Sequence, residues 1–111
     1  MNPINHYDKV IELLTVMVNH PALYFGSDDN VQSAENFING FNIALLSIYD
    51  SESMNLPALL EPGHVSRGWE FRAFSVSKTL RERGFTEKEI VVELIQITIS
   101  CWETFFKKQQ F

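Results

Sequence analysis

Between Ile90 and Phe105, Ile90, Val91, Leu94, Thr98, Cys101, Trp102 and Phe105 recur at intervals of three and four. That spacing lines one face of an α-helix, whereas a strand would alternate with a period of two. Val92, Ile95 and Ile99 widen the apolar face, which predicts the most buried helix of the chain. Its β-branched residues weakly favour a strand, but Glu93, Gln96 and Glu103 keep helical spacing. The stretch F-T-E-K-E-I at 85–90 supplies the start. Thr86 caps, Glu89 returns the hydrogen bond, and Phe85 staples against Ile90.

Three further helices follow from the same pattern. The first runs from about His6 to Asn19, with Tyr7, Val10, Ile11, Leu14, Met17 and Val18 as its stripe. Asn5 is the expected N-cap, and Pro21 stops the helix by pushing its predecessor out of the α region. The second begins after Asp29, which with Gln32 reads as a capping box; its stripe is Val31, Ala34, Phe37, Ile38, Phe41, Leu45 and Ile48. Gly40 lies within it at a cost of roughly 1 kcal/mol relative to alanine. A close crossing by Tyr24 or Phe25 is the expected reason. Residues 51–63 read as a loop with a short helical turn that tucks Leu56, Leu59 and Leu60 inward. The third helix, from about Ser66 to Arg83, carries Trp69, Ala73, Val76 and Leu80, with Phe74 beside them and Gly84 as its C′ residue. The expectation is an all-α fold: one domain over 1–111, a bundle of four main helices with that loop between the second and third.

At 111 residues, with fourteen aromatics, the chain can bury a core without staples. Its one cysteine cannot form an internal disulfide, which suits a reducing compartment. No basic secretion signal opens the sequence, and the most apolar stretch, IVVELIQITISCW, is interrupted by Glu93 and Gln96 and too short for a bilayer. A cytoplasmic protein with no membrane partner is expected.

Charge is unevenly placed. Residues 1–62 hold Asp8, Glu12, Asp28, Asp29, Glu35, Asp50, Glu52 and Glu61 against Lys9 alone, a net −7. Residues 63–111 hold six acids and eight bases, a net +2. Such polarity implies an acidic face that repels nucleic acid and attracts basic proteins. Asp29 serves as a cap as well as part of that face; Asp28, Glu35, Asp50, Glu52 and Glu61 have no local structural duty. Tyr49 is the expected apolar anchor beside them.

Signals for catalysis are absent. His6, His20 and His64 are far apart, and no HExxH or CxxC spacing occurs, so neither a metal nor another cofactor is implied. GHVSRG at 63–68 is not a nucleophile elbow, because His64 stands where G-x-S-x-G needs glycine. Cys101 lies on the apolar stripe and reads as buried filler. The paired acids Asp28/Asp29 and Asp50/Glu52 occupy cap and loop positions that would not split their pKa values. A binding protein is therefore expected rather than an enzyme.

Residues 20–46, HPALYFGSDDNVQSAENFINGFNIALL, resemble a pattern found in small bacterial immunity proteins of contact-dependent growth inhibition and polymorphic toxin systems. There an (R/H)-P-x-(M/L)-Y-(hydrophobic)-G segment precedes a helix with a (F/L)-(hydrophobic)-x-G-(Y/F) core. The matching positions are His20, Pro21, Leu23, Tyr24, Phe25 and Gly26, then Phe37, Ile38, Gly40 and Phe41. Pro21, Tyr24, Gly26, Phe37, Gly40 and Phe41 are read as architectural. The resemblance implies a cytosolic inhibitor that blocks a toxin domain without catalysis. Many such toxins are nucleases with basic clefts, which the acidic face would meet. The alternative is a small acidic adaptor or regulatory subunit that docks a basic protein without inhibiting it.

Overall fold

The computed structural model describes residues 3–50, 52, 55–66 and 76–108. Among them are six helices and no strand: α1 Pro3–Asn19, α2 Pro21–Phe25, α3 Val31–Tyr49, α4 Leu56–Ser66, α5 Val76–Glu82 and α6 Glu87–Lys108. The all-α expectation holds. The helix count differs, because the loop before the second expected helix contains α2 and the 51–63 loop contains most of α4.

Helix α6 is the hub, packed against α1, α3, α4 and α5. Ile90, Val91, Ile95, Ile97, Thr98, Cys101, Trp102 and Phe106 are buried along it. The capping box forms as expected. The Thr86 amide donates to Glu89 Oε1 at 2.9 Å, and the Glu89 amide donates to Thr86 Oγ1 at 3.2 Å. Those bonds hold the Glu89 carboxyl below the usual glutamate range. A cap is worth about 1 kcal/mol, whereas each fully buried aliphatic side chain contributes roughly 1.5–3 kcal/mol. Packing, more than capping, holds α6.

The α5–α6 turn is a Schellman motif. Gly84 adopts φ +90°, the Phe85 amide donates to Leu80 O, and the Gly84 amide donates to Arg81 O, both at 3.0 Å. Only the end of the expected 66–83 helix is described; Trp69, Ala73 and Phe74 lie outside the described residues.

Several local expectations are corrected. Helix α1 begins at Pro3, two residues before the expected cap Asn5. Pro21 ends α1 and also opens α2, since a first-turn residue needs no intrahelical N–H donor. The cap of α3 is Asn30, not Asp29: Asn30 Oδ1 accepts from the Ser33 amide at 3.0 Å, while Gln32 donates along the helix to Asn36. Helix α4 is capped likewise by Asn55, whose Oδ1 accepts from the Ala58 amide at 3.1 Å. Leu59 is buried there, with Leu56 and Leu60 half-buried against the core.

The buried stripe of α3 is also rotated from the expected one. It is Val31, Ala34, Ile38, Asn42 and Leu46. Phe37 is 37 % exposed and Ile48 68 % exposed. A polar Asn42 sits inside because the buried Trp102 indole N–H needs an acceptor, and Asn42 Oδ1 provides it at 2.9 Å.

Candidate interaction surface

The eleven residues from His20 to Asn30 build a compact aromatic corner on α3. Helix α2 presents Tyr24 and Phe25, and Gly26 at φ +82° ends it, its amide donating to Ala22 O at 3.1 Å. That left-handed conformation is one that a side chain disfavours. Both rings then meet Phe37 edge-on, at centroid distances of 6.1 Å from Tyr24 and 5.4 Å from Phe25, and Phe37 stacks on Phe41 at 6.5 Å. Pro21, Tyr24, Gly26, Phe37 and Phe41 therefore belong to one unit.

Gly40 behaves differently. It is exposed, and among the described residues a Cβ built there meets nothing within 4 Å. The expected crossing by Tyr24 or Phe25 is absent, because both rings are taken up by Phe37, one turn earlier on the helix.

The acidic residues fall into separate groups. Asp28, Asp29 and Glu35 lie near the start of α3, beside the α5–α6 turn. Asp28 Oδ2 is 3.4 Å from Lys88 Nζ. Asp29 lines an open cleft with Asn30, Arg81 and Glu87. Half-buried Glu35 accepts from Ser77 Oγ at 3.4 Å, near Arg81. Arg81 itself is gripped by Glu87 through three contacts of 2.7–3.1 Å, and this hydrogen bonding holds the Glu87 carboxyl below its ordinary range. Around this end four carboxylates face two cations.

Asp50 ends α3 about 22 Å from Glu35 along the helix axis, at 1.5 Å rise per residue. Its amide donates to Leu46 O at 2.8 Å, and it lines a pocket of 160 Å³ with Asn55, Leu59, Cys101 and Lys108. Glu52 is exposed just beyond it, and Glu61 is exposed on α4. Asp28, Asp29 and Glu35 thus lie near one end of α3, with Lys88 and Arg81 beside them, and Asp50 lies at the other, with Lys108 beside it. Tyr49, beside Asp50, is half-buried, and its ring meets Trp102 at 6.4 Å and Phe106 at 5.1 Å.

What the sequence reading missed is the outward side of α3. From Asn36 to Tyr49 the chain carries no charge, and exposed Phe37, Ile43 and Ile48 lie there with Gly40. Leu23, on the adjoining α2, is 78 % exposed. The absence of any Lys, Arg, Asp or Glu over fourteen residues was the available signal.

Chemistry-bearing groups are few. Among the described residues no cluster of His, Cys, Asp and Glu could hold a metal ion, and no helix is long and apolar enough to cross a membrane. Cys101 is buried, its Sγ donates to Leu60 O at 3.4 Å, and burial pushes its thiol up to about 12. Thiol reagents at pH 8 are therefore expected to label Cys101 only as fast as the protein unfolds. Labelling at the rate of the unfolded chain would contradict the burial. The raised thiol pKa stabilises the fold fully below the ordinary value of 9.0, and that contribution is lost as pH rises from there toward 12.

No protein-family model, curated protein or solved structure matches this chain.

Proposed function

We propose that this protein is an immunity protein: a cytoplasmic bundle built on four main helices that binds a cognate toxin domain, most simply a basic nuclease such as an RNase, and covers its active site. The observation carrying this reading is the segment 20–46. Its pattern residues form a single aromatic unit through Tyr24, Phe25, Phe37 and Phe41, set beside an uncharged exposed helix face. Exposed apolar side chains grouped on one helix face are a feature of protein interaction sites. Carboxylates at both ends of α3 favour a cationic partner, and steering of that kind raises association rates more than it adds to final affinity.

The test uses a toxin domain from a neighbouring gene as the probe, where such a gene is found. Mixed at equal concentration in low salt, the two proteins should form a stable complex, and the toxin's activity should disappear as the ratio reaches one. The triple reversal Asp28→Lys, Asp50→Lys, Glu52→Lys should weaken binding and flatten its salt dependence. Complex formation without loss of toxin activity would mark an adaptor instead. No complex at low salt would contradict the proposal.

A further inference from the structure

We draw no further inference here: the strongest candidate, the uncharged outward face of α3 around Gly40 with Phe37, Ile43 and Ile48 exposed on it, is an apolar helix surface, and nothing in the structure shows what covers it.

Discussion

Trp102→Ala is expected to destabilise the protein by about 3–5 kcal/mol, toward the upper end of the range for an aromatic truncation. Trp102 is fully buried on the hub helix, with ring centroids of Phe105 at 5.1 Å, Phe106 at 5.6 Å and Tyr49 at 6.4 Å. Truncation leaves a cavity among rings that cannot all close on it. It also removes the donor that satisfies Asn42 Oδ1. Asn42 is 1 % exposed and its Nδ2 has no hydrogen-bond partner, so both ends of the amide would then be buried unmet, at a further cost of roughly 1–3 kcal/mol. Domains of this size are commonly stable by about 5–15 kcal/mol, so the variant approaches the threshold of folding. Urea denaturation measures the loss directly, and a loss below about 1 kcal/mol would contradict the packing described. A second comparison separates the two contributions. Trp102→Phe should be partly rescued by adding Asn42→Leu, because removing both polar partners leaves nothing unsatisfied.

The second large effect is at Gly63. Alanine in place of a helical glycine ordinarily stabilises by about 1 kcal/mol, but here the sign reverses. A Cβ at Gly63 overlaps Cys101 Sγ and comes within 2.7 Å of Ile97 O and 3.1 Å of Cys101 N. Helix α4 lies against α6 so closely at this point that only glycine fits. Gly63→Ala must push the two helices apart, at a net cost of about 1–3 kcal/mol, the usual range for overpacking. Adding Cys101→Ala should restore only part of the loss, because the clash with the Ile97 carbonyl remains. Thermal melts of the single and double variants decide this. Full rescue, or a stabilised single variant, would show that α4 sits farther from α6.

These contacts also explain what could be read in advance. The Thr86–Glu89 box and the Gly84 turn depend on bonds spanning three to five residues, so their residue types announce them. The sequence pattern puts the α3 cap at Asp29, one residue early; the burial of Val31 and the Asn30–Ser33 bond set it at Asn30. The phase of α3 is not legible from apolar spacing alone, because buried Asn42 is polar and its partner Trp102 is sixty residues away. Helix α4 was hidden by Pro57, Pro62 and Gly63, residues that ordinarily mark turns. Charge misled in the same way. Asp28 lacks a cation nearby in sequence, but folding brings Lys88 to it. For the candidate site, the aromatic corner was legible as a pattern. The openness at Gly40 was not, since only the packed structure shows that none of the described residues comes within 4 Å of a Cβ there.

Binding through the exposed side of α3, beside the aromatic corner of the proposed immunity protein, can be read residue by residue with isoleucine-methyl NMR. Protein labelled at its isoleucine methyls would be titrated to saturation with an unlabelled toxin domain found to bind it. Ile43 and Ile48 are exposed, whereas Ile90 and Ile95 are fully buried, so the former report on the face and the latter on the core. On binding through this side, the Ile43 and Ile48 resonances should shift or broaden while those of Ile90 and Ile95 hold their positions. A saturated complex in which Ile43 and Ile48 are unmoved would contradict it.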